Sequence, residues 1–172
     1  THDRKMNKDG RCWYIPMMFC ELPFLWVNND CGFDIAMFQV APMDEHGNFN
    51  LGPQVADMWG VIKSAKKIIV EVNENMPIAH GYQTQLNLYG IDYIVEGSNT
   101  SLAELPTKEP TEIDKKIASH IVPRIKSHST LQLGIGSLPL CIGSMLAESD
   151  QRNINAHTEM FTDAYVDLFD AG

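Results

Sequence analysis

An α/β protein made of parallel-sheet domains in succession is what this sequence predicts, and three observations lead there. The apolar run "KIIVEVN" at 67–73 follows a segment of helical periodicity, which is the order of a right-handed crossover onto a parallel strand. The stretch "GSNTSLAELPTKEPTE", rich in Pro, Ser and Thr and without periodic apolar residues, marks a domain junction near residue 108. Beyond it the chain again alternates helix, strand, glycine turn, helix and strand, so a second α/β unit begins there.

Taken in order, "RCWYIPMMFCELPFLWVNND" holds a short apolar strand candidate and a helix candidate near 17–27, interrupted by Pro16 and Pro23. A buried strand is expected from Phe33 to Val40, then a turn around His46 and Gly47 and a second short strand, together a hairpin-like excursion. Val55, Met58, Trp59, Ile62 and Ala65 recur at helical spacing and lead into a strand at Ile68–Val72. "NENMPIAHGYQTQLNLYG" reads as a long polar loop able to carry function, and "IDYIVEG" as a strand.

In the second part Thr111 and Asp114 form a capping-type T-x-x-D, and Ile113, Ile117, Ile121 and Ile125 line one helix face that Pro123 should shorten. A strand at "TLQLG", a helix from about Pro139 to Glu148, a strand near "NINAH" and a helix through "FTDAYVDLF" complete the reading. The 64 residues after the boundary are too few to cover both faces of a parallel sheet, so further segments are expected to complete the unit.

Charge and composition limit the function classes. Over 172 residues, 13 basic and 22 acidic side chains leave a net charge of -9, which disfavours nonspecific attraction to nucleic acid or to an anionic membrane. With 44% hydrophobic and 20% charged residues, and no apolar run of about 18 residues, no membrane segment is expected. Cys12, Cys20, Cys31 and Cys141 include no C-x-x-C pair, which argues for reduced thiols in a cytoplasmic protein and against a zinc site. The chain opens on Thr1 with neither a Met nor a signal-like apolar region, as an excised piece of a longer protein would.

Two motifs can carry chemistry. In "LQLGIGSLP", Gly134 and Gly136 lie between strand and helix, where bare backbone and unpaired helix N–H groups suit a phosphate, pantetheine or oxyanion; a tight turn without a ligand is the plainer reading. Glu159 stands 23 residues after Gly136 and just beyond the next strand. Because parallel strands share a rim at their carboxyl ends, the two loops should face one crevice. A carboxylate there is either a covalent nucleophile or a cap for the following helix, and spacing leaves both open. His46, with Asp44 and Glu45 beside it, is read as part of a solvated turn, the methionines at 17, 18, 37 and 43 as core filler, and His80 and His157 as cleft candidates that could equally pack.

The segments "APMDEHGNFNLG", "EVNENMPIAHG", "LQLGIGSLP" and "HTEMFTDAYVDL" occur here in the order seen in the acetyl-CoA hydrolase/transferase family, which includes butyrate and 4-hydroxybutyrate CoA-transferases. The chain resembles the middle of such an enzyme along nearly its whole length. The resemblance implies CoA-transferase-like parallel-sheet domains, the first (1–108) incomplete at its N-terminus and the second (109–172) truncated. It implies Glu159 as the covalent nucleophile, kept in an apolar pocket, and Gly134, Ile135, Gly136, Ser137 and Leu138 as the turn that contacts CoA. Coenzyme A would be a substrate, with an acyl-CoA and a short-chain carboxylate as partners, no prosthetic group, no metal, and a homo-oligomeric full-length enzyme. A thioester hydrolase and a noncatalytic binding or assembly fragment are the alternatives. Ile78, Ala79 and Tyr82 depart from the family's usual Arg, Thr and Asp, and Ala164 and Tyr165 from its usual Gly and aliphatic residue.

Overall fold

The computed structural model describes residues 2–28, 32–104, 106 and 108–172, which form two compact units, Thr1–Ala103 and Glu104–Gly172. The boundary between the units falls a few residues before position 108. Cys31 lies outside the described residues.

In the first unit α1 (His2–Lys8) precedes a 3-10 turn (Phe19–Glu21) and α2 (Leu22–Asn28). The short strand expected in the opening segment does not form. Residues 13–18 have no regular structure, Trp13, Tyr14 and Ile15 are exposed, and Pro16 removes a ladder donor from the run. Next come β1 (Ile35–Val40), β2 (Asn48–Asn50), α3 (Met58–Ser64), β3 (Lys67–Val72), β4 (Gln85–Asn87) and β5 (Tyr93–Glu96). The sheet has the order β1-β3-β5 and is parallel throughout, with Val40 opposite Val72 and Val72 opposite Glu96. Its core joins Val40 and Val70, both fully buried, with Phe49, Leu51, Met58, Ile68 and Leu86. Each such side chain contributes about 1.5–3 kcal/mol by leaving water.

The turn at Asp44–Gly47 forms as expected, but β2 does not close a hairpin on β1. It pairs antiparallel with β4, Phe49 opposite Leu86, and the bonds from Ala41 N–H to Asn50 O and from Asp44 N–H to Asn48 O tie it to the segment that leaves β1. The segment 73–90, read as irregular, therefore contains a strand. With one apolar residue among three, "QLN" is too short to show alternation.

The second unit holds α4 (Glu112–Ile121), a 3-10 turn (Val122–Arg124), β6 (Thr130–Leu131), α5 (Ser137–Ala147), β7 (Asn155–Ala156) and α6 (Asp163–Ala171). The capping box opens α4 as expected: Thr111 Oγ1 accepts from Asp114 N–H at 3.2 Å, and Asp114 Oδ2 accepts from Thr111 N–H at 2.8 Å. Pro123 turns the last residues into a 3-10 form. Of the four isoleucines, Ile121 and Ile125 pack against the core while Ile113 and Ile117 are exposed, and the adjacent stripe through Ala118 and Val122 is the buried one. A helical period cannot by itself choose between two adjacent stripes when both are apolar. Ala118 and Val122 pack with Leu133, Cys141, Ile142, Leu146, Ala164 and Tyr165 in the core of this unit. α5 and α6 meet so closely that a Cβ on Gly143 would stand 2.5 Å from Ala164 Cβ. Among the described residues no helix is long and apolar enough to cross a membrane.

Candidate active site

The site of the second unit is built on a very short parallel ladder. Thr130 lies opposite Asn155 and Leu131 opposite Ala156, and the ladder is extended by Asn155 N–H donating to Ser129 O at 2.9 Å and His157 N–H donating to Leu131 O at 3.0 Å. Two adjacent parallel strands release their chains at the same rim. The glycine turn leaves β6 there, and the bend carrying Glu159 leaves β7 beside it.

Gly134, Ile135 and Gly136 are exposed, while Ser137 and Leu138, the first residues of α5, are half-buried. Gly136 has φ +125°, a conformation that side chains of L-residues strain to adopt, and it occupies the N-cap of α5. Gly134 is open for a different reason, since an added Cβ would meet only the Pro139 ring at an ordinary 3.8 Å. Its bare backbone leaves room on the solvent side. At the helix start the N–H groups of Ser137 and Leu138 have no intrahelical acceptor and Pro139 has no N–H, so two donors remain for a ligand oxygen. Nearby, Asp114 is held below the usual aspartate range by the backbone N–H and hydroxyl of Thr111, with a smaller contribution from the Ser137 hydroxyl.

Glu159 is exposed on the bend between β7 and α6 and makes no hydrogen bond or ion pair among the described residues. It does not cap α6. The N-cap is Thr162, in extended conformation (φ -98°, ψ 166°), and its buried Oγ1 has no partner among the described residues. The apolar pocket expected around Glu159 is also not formed by the described residues. Met160 and Phe161 beside it are themselves exposed, although one face of the Phe161 ring stacks on Tyr165.

His157 has an exposed side chain and serves the ladder through its backbone. His80 lies in the first unit, exposed, in the loop after β3. The residue before it is fixed by buried Asn50, whose Nδ2 donates to Ala79 O at 2.8 Å and whose Oδ1 accepts from Ala79 N–H at 3.0 Å. Asp44 commits its oxygens to the turn: Oδ1 accepts from the N–H of Asn48, the main cause of its lowered carboxyl pKa, and from the N–H of His46. Burial pushes the Cys141 thiol up, so this cysteine is a packing residue. Sequence reasoning marked Tyr165 only as a departure from the family pattern and gave no role to it; it is a buried tyrosine whose hydroxyl reaches the backbone of the glycine-turn strand. On the helical repeat it reads as one more core aromatic.

Comparison with known proteins settles the lineage. The family model for the acetyl-CoA hydrolase/transferase N-terminal domain matches residues 1–106. The chain belongs to the acetyl-CoA hydrolase/transferase family. A butyryl-CoA:acetate CoA-transferase of Anaerostipes caccae is 45% identical over 172 residues, covering 99% of this chain and 39% of that protein. A probable butyrate:acetyl-CoA coenzyme A-transferase of Syntrophomonas wolfei is 38% identical, with 99% and 38% covered. Among solved structures, RipA from Yersinia pestis superposes with a TM-score of 0.86 at 31% identity, over 98% of this chain and 39% of that one. The chain thus spans under two fifths of the length of these family members.

Proposed function

We propose that this chain is the part of a CoA-transferase that carries its nucleophile, moving CoA between an acyl-CoA and a short-chain carboxylic acid. The observation that carries the proposal is the pairing of β6 with β7, which sets two unused helix N–H donors and an unpartnered carboxylate at one rim. The named relatives support the reaction class.

In this reading the Glu159 carboxylate attacks the thioester carbonyl, the C–S bond breaks, and an acyl-glutamyl anhydride forms with release of CoA thiolate. The thiolate attacks the glutamyl carbon of that anhydride, expelling the first carboxylate and leaving a glutamyl-CoA thioester. The acceptor carboxylate attacks this thioester, and the returning thiolate takes the new acyl group and frees Glu159. Each attack places negative charge on a carbonyl oxygen. The N–H groups of the turn at 134–138 are suited to stabilise it, at about 3 kcal/mol per well-placed donor. The exposed position of Glu159 leaves its carboxylate free of internal partners that would compete with the substrate.

On the same reading, 1–108 is part of the N-terminal CoA-transferase domain and 109–172 the start of the C-terminal one. His80 and His157 are cleft-lining candidates, and the full-length enzyme is a cytoplasmic homo-oligomer using no prosthetic group. The test is release and transfer of CoA from a labelled acyl-CoA by the full-length enzyme, with and without acetate. Turnover that depends on acetate and yields labelled carboxylate plus acetyl-CoA supports the transferase. Release of CoA at the same rate without any acceptor identifies a hydrolase instead.

A further inference from the structure

We infer that Tyr165 is a positioning residue for this site: its hydroxyl holds the start of the glycine turn in register with the segment that carries Glu159. The inference rests on the function proposed above and adds to it a residue on which the reaction geometry depends.

The ladder between β6 and β7 is only two residues long, so the backbone past Leu131 has no strand partner of its own. Leu133, the residue before Gly134, is buried, and its N–H needs an acceptor. That acceptor is Tyr165 Oη at 2.6 Å, and the same hydroxyl lies 3.5 Å from Leu131 O, to which it can donate. Leu131 O is also the acceptor for His157 N–H at 3.0 Å. One phenol therefore bridges the two ends of the segment that enters the glycine turn, at the carbonyl that fixes the residue two before Glu159. The ring is tied to the other loop as well. Tyr165 is 5% exposed in the core of the unit, and Phe161, two residues after Glu159, stacks on it at 5.1 Å between ring centroids and 18° between planes. A hydroxyl in this place completes the ladder where the strand ends. Without it, Leu133 N–H is buried and unpaired, and the turn must move to find another acceptor.

Tyr165→Phe in the full-length enzyme keeps the ring, its stacking and its burial, and removes only the hydroxyl. The expected result is an approximately tenfold slower formation of the glutamyl-CoA adduct in a single turnover, with a much smaller change in KM for acyl-CoA, since small displacements of donor groups act on the transition state. A residue that served stability alone would lower the thermal midpoint and leave the single-turnover rate of the folded enzyme unchanged. A second variant removes the donor instead: Leu133 replaced by its α-hydroxy acid, which turns the amide N–H into an ester oxygen. It should produce a similar loss, and combining the two changes should add little to either, because both break one bond. An unchanged adduct rate in Tyr165→Phe, or losses that simply add, overturns the inference. Glu159→Gln run alongside separates the two claims. If that variant is inactive while Tyr165→Phe is fully active, only the positioning role fails; if it turns over normally, the proposed function fails and this inference with it.

Discussion

The loop that follows β3 and the bend that follows β7 both leave the carboxyl end of a parallel strand, yet they are built in opposite ways. After β3 the asparagines and several backbone groups are tied internally. Asn73 is fully buried, its Nδ2 donates to Thr100 O at 2.8 Å and Gln39 Oε1 at 3.1 Å, and its Oδ1 accepts from Asn75 N–H at 2.9 Å. Asn75 Nδ2 donates to Asn99 O, Asn50 grips Ala79, and Trp59 Nε1 donates to Gln83 O. After β7 the chain has the Thr158 Oγ1 bond to Met160 O and little else, and Glu159 stands without a partner among the described residues. A group already saturated by the fold has little left for a ligand, whereas an unpaired carboxylate beside unpaired N–H groups is available for chemistry. On the function proposed above, the contrast is one between scaffold and reacting part.

Substitutions in the two places should therefore fail differently. At the bare bend Glu159→Gln removes the carboxylate proposed as nucleophile but no bond made among the described residues. The kcat of the full-length enzyme should fall by about a thousandfold or more, with the thermal midpoint within a degree or so of the parent. Retained kcat beside a lowered midpoint would mean that Glu159 is structural and that the contrast is misread. In the tied loop Asn73→Ala should do the reverse. It removes a fully buried amide and its bonds to Thr100 O, Gln39 Oε1 and Asn75 N–H, groups of exposed or half-buried residues, at a cost of about 2 kcal/mol in denaturant unfolding, while folded enzyme keeps most of its kcat. Equal stability of parent and variant would remove the claim that this loop is held by its asparagines.

What the sequence disclosed of these two regions follows from what a pattern can encode. Apolar runs such as "KIIVEV" announce β3, and the glycine turn and Glu159 stand out because few residue types suit such places. Asn73 does not stand out, since a buried amide is recognised only by its partners, and these come from 34 and 27 residues away. The strands expected at "TLQLG" and "NINAH" form as β6 and β7, though only two residues long each, whereas β4, three residues long with one apolar side chain, is below the length at which alternation can be read. The role of Tyr165 was hidden for a related reason, because its ring follows the helical pattern while its hydroxyl answers to a backbone N–H 32 residues earlier. The exposure of Glu159 was not legible, since apolar neighbours in sequence do not have to pack around a bend.

A smaller effect should come from pH, and again from the tied unit. Asp92 sits just before β5, where Oδ1 meets Lys67 Nζ at 2.8 Å and Oδ2 accepts from Ile68 N–H at 2.9 Å. The Lys67 hydrogen bond, followed by that of Ile68, holds the Asp92 carboxyl below its usual value. Its folded pKa is thus lower than its unfolded one, so its contribution is present above the usual aspartate range and is lost as pH falls through the folded value. Asp92→Asn should flatten the acid limb of the thermal midpoint against pH and change little near neutrality. An acid limb identical to the parent's would assign the loss to other carboxylates.

The central claim, that the unpartnered carboxylate of the second unit becomes covalently bonded to CoA, is tested most directly by trapping it. Full-length enzyme incubated with an acyl-CoA and then treated with borohydride should yield, by peptide mass spectrometry, a side chain reduced from thioester to alcohol at Glu159, and only when acyl-CoA was present. The same modification found on a different carboxylate, or on none, would contradict the account.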